Sequence, residues 1–475
     1  MLTRVTPGAR GITPEEVRVR IGEAVFPNPW KRELEFNPPV HETWNIVHIG
    51  MLLPQAHQIY VCAENCMRGV VMTAAEMDAL ERFSCVLITE SDIYRDNLES
   101  ITLEGVTDVL HKLPALPPAV IVFPVCLHHF MGCDLQYVYA ELEKRFPDVV
   151  FVRAWMDPVM QKTGPTPDEK LRTAMADLLT AGSAQPYPEG GFHVSVIGDN
   201  LPLEEDSDIA RLVSEAGARL HRIQDCGTFA AYRQMAGSDL FIARSPLAAP
   251  GMRRAAKRLG KPGLYLPNAY GYEEIRRMRG QLAGALGLQP DTALFNHRQN
   301  EEIEACEAAL AGAKATVGTR QIAIDAAAVQ RPLGWARLLL EHGFAVKTVY
   351  LDMIHPEEEK DFLFLQESFP DLYLHKTVHI GGRVLHGGRL CREEERAAGG
   401  EEVLAIGPKA AWYEDTPWFV NMVEYGGLWG YYGIRRMAQL MEEACLVKKD
   451  TKEIVQRKGL GCTCILPGAA ERTRI

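Results

Sequence analysis

The chain has 475 residues, 47% of them hydrophobic and 24% charged, with a net charge of −11. That balance is ordinary for a water-soluble globular protein, and the acidic excess argues against bulk nucleic-acid binding. No apolar run reaches the roughly 18 residues of a membrane span, and the start, MLTRVTPGARGITPEE, has no apolar core of a secretory signal, so a cytoplasmic protein without structural disulfides is expected.

The length exceeds what one hydrophobic core organises, and about three domains are expected. After an irregular, Pro-rich start, short apolar runs alternate with amphipathic stretches, the pattern of βαβ units on a parallel sheet. It recurs three times. In the first block CVLITES, AVIVFPVC and VVFVRAW read as strands, with helices over NLESITLEGVTDVLHKL and DLQYVYAELEKRF. QPYPEGG reads as a linker. The second block opens with FHVSVIGD and continues through strands ARLHRIQD, DLFIARS and GLYLPN. The third opens with RQIAIDA and runs through AVKTVYLD, LYLHKTV and EEVLAIG to the helix LWGYYGIRRMAQLMEEA. The predicted fold is α/β, with three Rossmann-like domains, each a mostly parallel sheet flanked by helices. Their expected limits are 1–190, including an N-terminal arm, 191–316 and 317–445, with a tail over 446–475.

Several motifs are absent. There is no GxxxxGK[ST] loop, so ATP hydrolysis is not expected of this chain itself, and there is no HExxH. GGLWGYYG (426–433) has glycines at three-residue spacing but opens a late helix, and reads mainly as close helix packing. The 11 cysteines are the informative residues. Cys62 and Cys66 precede an apolar helical start, Cys85 begins a strand, and Cys126 stands between a strand and a helix. In a parallel sheet that carboxyl edge is where ligands sit, and a helix N-terminus favours the thiolate a metal needs. Soft thiolates select iron–sulfur clusters, Zn or Cu(I). The spacing is that of neither a zinc ribbon nor a ferredoxin, and thiols packed as small hydrophobes remain the alternative.

On CAENCMRGVV and CLHHFMGCD, the first block resembles the component 1 proteins of nitrogenase and their relatives. There a Cys-rich segment ends in a small residue, a basic residue and Gly-Val-Val, and a later segment has the form Cys-x5-Gly-x-Asp, here Cys126, Gly132 and Asp134. The resemblance covers most of the chain and is most specific across 45–160. It implies Cys62, Cys85 and Cys126 as cluster ligands, with Cys66 and Cys133 as extra thiols able to substitute or add. It implies an iron–sulfur cluster, [4Fe-4S] or a P-cluster-like [8Fe-7S], shared with a homologous component 1 subunit, and an iron-protein ATPase as electron donor. With the acidic charge and no long apolar run, no nucleic-acid or membrane partner is expected.

Where nitrogenase's catalytic subunit holds its iron–molybdenum cofactor with a Cys and a His, this chain has Ala243 and Arg244, and Tyr425 or its neighbours. No iron–molybdenum cofactor and no dinitrogen reduction are therefore expected. The implied activity is that of a nitrogenase-like reductase of unknown substrate, with a non-catalytic cofactor-assembly scaffold as the alternative. His128 follows Cys126 and is a candidate to tune a cluster or give protons. Arg244 is a candidate to hold an anionic group, and His379, in HKTVHIGGR, to line a cofactor cavity. Cys226 ends a second-block strand. Cys462 and Cys464 form a Cys-x-Cys for which redox or metal roles stay open, and no catalytic acid is assigned.

Overall fold

The computed structural model describes residues 17–30, 45–95, 97–157, 159, 165–290, 292–379 and 402–451. In chain order the strands are β1 (Arg18–Arg20), β2 (Ala56–Cys62), β3 (Phe83–Leu87), β4 (Ala119–Pro124), β5 (Val150–Arg153), β6 (His193–Val196), β7 (Arg219–Arg222), β8 (Leu240–Ala243), β9 (Gly263–Tyr265), β10 (Gln321–Asp325), β11 (Ala345–Tyr350), β12 (Tyr373–His375), β13 (Val403–Ile406) and β14 (Phe419–Val420). They form three sheets, ordered β3-β2-β4-β5, β7-β6-β8-β9 and β1-β12-β11-β10-β13-β14. All pairings are parallel except that of β1, which joins β12 antiparallel. The chain is thus α/β, with several parallel sheets flanked by helices. It divides into two compact units. Residues 45–202 and 213–267 carry the first two sheets, while residues 17–30, 203–212 and 268–451 carry the third.

The strand β2 was not legible as one, because His57 and Gln58 interrupt its apolar run. It lies between β3 and β4, with all seven residues buried. Its polar groups are satisfied in place, as burial requires. His57 pairs with the Ser84 hydroxyl at 2.8 Å, Gln58 donates to the Val47 carbonyl at 3.0 Å, and Tyr60 donates to Gln58 at 2.8 Å. The Tyr60 ring stacks on Phe123 at 4.3 Å.

Six helices position the sites: α1 (Glu64–Glu76), α2 (Cys126–Phe130), α3 (Leu135–Arg145), α4 (Ala293–Val317), α5 (Pro332–Glu341) and α6 (Gly430–Leu446). The long α4 starts at the N-cap Thr292, which accepts from the Phe295 amide at 3.2 Å. It packs on α6, where the Cys306 thiol donates to the Tyr431 carbonyl at 3.3 Å. Gly430 opens α6 at φ +72°, and a Cβ there would stand 2.3 Å from the Asp208 carboxylate. That carboxylate accepts from the Tyr432 amide at 3.0 Å and pairs with Arg279. Before α5, Arg331 adopts φ +58°. Glu358, 2% exposed, accepts from the Leu333 amide at 2.8 Å and so caps α5 from a distant segment. Burial pushes the Glu358 carboxyl up to about 7.

Candidate functional site

Each sheet reverses strand order once: between β2 and β4, between β6 and β8, and between β10 and β13. Connections diverge to opposite faces there, leaving a crevice beyond the carboxyl ends of the strands. All three crevices carry reactive or charged side chains.

At the first, Cys62 is the last residue of β2 and Cys66 the third residue of α1. Cys126 is the first residue of α2, directly after β4. Cys62 is sealed, Cys66 exposed and Cys126 half-buried. Burial and the nearby Cys66 push the Cys62 thiol up to about 12. The Cys126 thiol is raised by burial, then by Asp157 and Cys66. Cys85 is not at the start of its strand but in the middle of β3, opposite Tyr60. The period of two puts it on the same sheet face as Cys62, about 6–7 Å back along the strand direction. Burial and Cys62 push its thiol up to about 12.

The rest of the Cys-x5-Gly-x-Asp segment does backbone work. Gly132 takes φ +66° at the end of α2, and the Cys133 amide donates to the His128 carbonyl at 3.0 Å. Asp134 accepts from the Tyr137 amide at 3.0 Å and starts α3. His128 is turned inward. Its Nδ1 accepts from the Val125 amide at 3.2 Å and its Nε2 lies 2.9 Å from the Thr102 hydroxyl, while burial lowers it to about 4. His129 is the exposed histidine, 3.2 Å from the fully buried carboxylate of Asp157, which follows β5. Leu87, Tyr94, Phe130, Met131 and Tyr137 are exposed apolar side chains on segments bordering this edge. Among the described residues, no three His, Cys, Asp or Glu groups close around a point as one metal ion requires. The spread of thiols along the edge suits a polynuclear cluster, whose iron atoms separate the ligands. The soft donor set fits iron and sulfide.

At the second crevice Ala243 ends β8, and Arg244 reaches the Asp199 carboxylate at 2.5 Å, both nearly sealed. Arg172 bonds the Gly198 carbonyl and Asp168. Beside them is a small cavity lined by Ile49, Met175, Val196, Ile223 and Tyr232, with Arg172 and Asp199 as its charged lining. Cys226 donates to the Arg222 carbonyl at 3.4 Å and contacts the Met235 sulfur at 3.8 Å, the surroundings of a packed thiol.

At the third, the Asp325 carboxylate at the end of β10 accepts from the amides of Ala327 and Lys409 at 2.7 and 2.8 Å. The buried Lys409 ammonium lies 3.3 Å from the Thr377 hydroxyl and 3.9 Å from Asp352. His375, Lys376 and His379 are buried beside Thr377 along the same segment. Burial, then Arg18, lowers His375 to about 4. Tyr425 is buried at φ +60°, 5.5 Å from the Tyr270 ring. Sequence reading did not single out Asp157, Asp199, Asp325, Asp352, Lys376 or Lys409. A usable signal was available for the last: a lysine two residues after a strand-ending Ile-Gly. The loop 381–400, Cys391, Cys462 and Cys464 lie outside the described residues.

A family model described as nitrogenase component 1 type oxidoreductase matches residues 99–457. No curated protein matches the chain in sequence. Two solved structures described as "Nitrogenase Cp1" are similar to it in fold. The one at pH 6.5 has a TM-score of 0.62 at 14% identity, covering 88% of this chain and 94% of that one. The one at pH 5 has a TM-score of 0.58 at 12% identity, covering 94% and 96%.

Proposed function

Since the chain belongs to the nitrogenase component 1 type oxidoreductase family, we propose that it is a subunit of a nitrogenase-like two-component reductase. The thiol-bearing edge of the first sheet is its iron–sulfur cluster seat. The supporting observation is the meeting of Cys62, Cys66 and Cys126 at one strand-order reversal, bordered by exposed apolar side chains. Apolar surface of that kind suits burial against a homologous subunit. Bound there, the cluster supplies one-electron storage at a potential set by its surroundings.

The chain's own groups do the rest. The cysteine sulfurs hold iron once they have released their protons. His129, braced by the sealed Asp157, presents a ring to solvent beside Cys126 and can hold or release a proton there. Arg244 is committed to Asp199, so it positions the second crevice. Ala243 and Tyr425 offer neither thiolate nor imidazole, in keeping with a substrate other than dinitrogen. Electrons come from a separate ATP-hydrolysing iron protein, in the cytoplasm.

A non-catalytic scaffold for cofactor assembly is the second reading, favoured by the absence of any thiol directly after β8. Purification under anaerobic conditions followed by incubation with an iron protein and ATP separates the two. A reductase shows repeated reduction and reoxidation of its cluster by electron paramagnetic resonance. Loss of iron to an apo-acceptor without redox cycling points to the scaffold. Full retention of iron and spectrum in Cys126→Ala removes the basis for both.

A further inference from the structure

The reading above rests on thiols at the first crevice, and the fold sorts them further. We infer that the ligand set this chain gives to its cluster is Cys62, Cys66 and Cys126, and that Cys85 is a strand residue outside it. The inference depends on the cluster-seat reading and refines it.

The strand order comes first. A crevice opens only between β2 and β4, because the chain leaves β2 for β3 on one side and returns to β4 on the other. Cys62 ends β2, Cys66 lies in the first turn of the helix that β2 feeds, and Cys126 begins the helix that β4 feeds. All three flank that opening. Cys85 belongs to β3, the edge strand on the far side of β2, with two strand residues still to come before its end.

Exposure singles out Cys66. A ligand shared across a subunit boundary has to reach the surface, and Cys66 is exposed, whereas Cys85 and Cys126 are half-buried and Cys62 is sealed. The backbone supplies a further sign. Gly69 lies three residues after Cys66, on the same face of α1. A Cβ at Gly69 would meet nothing within 4 Å. An exposed glycine inside a helix costs about 1 kcal/mol relative to alanine, and no packing among the described residues requires it. The clearance fits a cluster or a neighbouring backbone brought close above Cys66.

The chemistry is ligation only. Each of the three thiols loses its proton to solvent and forms a sulfur–iron bond, with no change in oxidation state needed for binding. The test uses the full chain, purified anaerobically and reconstituted with ferrous iron and sulfide, and counts iron and sulfide per chain alongside the paramagnetic spectrum. Circular dichroism checks the fold of each variant. Cys66→Ala is expected to lose most of the bound iron, and Cys85→Ala to keep the wild-type content. Cys85→Val serves as a second variant that fills the strand position should alanine disturb folding. Iron retained in Cys66→Ala, or lost in folded Cys85→Ala and Cys85→Val alike, overturns the assignment while leaving a cluster seat intact. No iron in the unsubstituted protein overturns the seat itself.

Discussion

Glu358 offers a quantitative check on the third-sheet unit. Its carboxyl is sealed, accepts the Leu333 amide of α5, and is raised by burial from 4.5 to about 7. The folded chain therefore keeps a proton that the unfolded chain releases above pH 4.5. Stability from this group is fully present below pH 4.5 and is lost as pH rises through about 7. At about 1.4 kcal/mol for each pH step, the change across that window is about 3 kcal/mol. Glu358→Gln keeps an oxygen able to accept from Leu333 and has no proton to lose. Urea unfolding of both proteins at pH steps between 4 and 8, read from hydrogen exchange of α5 peptides, gives the difference. The variant is expected to gain on the parent by about 3 kcal/mol between pH 4.5 and 7. Parallel profiles would refute the burial argument.

Two further outcomes follow from the same geometry. Gly430→Ala forces a side chain into φ +72° and against the Asp208 carboxylate, so it is expected to destabilise by about 3 kcal/mol or more, combining backbone strain with disturbance of a buried ion pair. Gly217→Ala at φ +67° meets open space and is expected to show only the conformational part, about 1–2 kcal/mol, so equal thermal losses would contradict the steric account. Alkylation of the metal-free chain, mapped by mass spectrometry, is expected to modify Cys66 well before Cys62, since one is exposed and the other sealed with its thiol pushed up to about 12. Faster labelling of Cys62 would contradict the burial order.

Much of the fold was readable because parallel strands covered on both faces are written as short apolar runs. The runs AVIVFP, LFIA and VLAI are buried throughout. What escaped was written in polar residues. β2 contains His57 and Gln58, whose hydrogen bonds form only after distant segments arrive. The helix α4 carries few large apolar side chains for its length and owes its place to α6, far along the chain. At the site, the edge position of Cys126 was legible from its strand–helix junction, and that of Cys62 only from the helical start that follows it. The mid-strand position of Cys85 was not, because Phe83 and Ser84 did not read as strand. Nor could a sequence show that His128 turns inward while His129 meets Asp157, a partner from another strand's end.

Residues 203–212 belong to the third-sheet unit although both flanking stretches belong to the other. Asp208 waits there for the Tyr432 amide, 224 positions later. At ribosomal speeds of about 5–20 residues per second, the acid leaves the exit tunnel some tens of seconds before the helix it will cap. A nascent chain must keep that decapeptide in reserve throughout, and a transcript truncated before α6 would strand it for good.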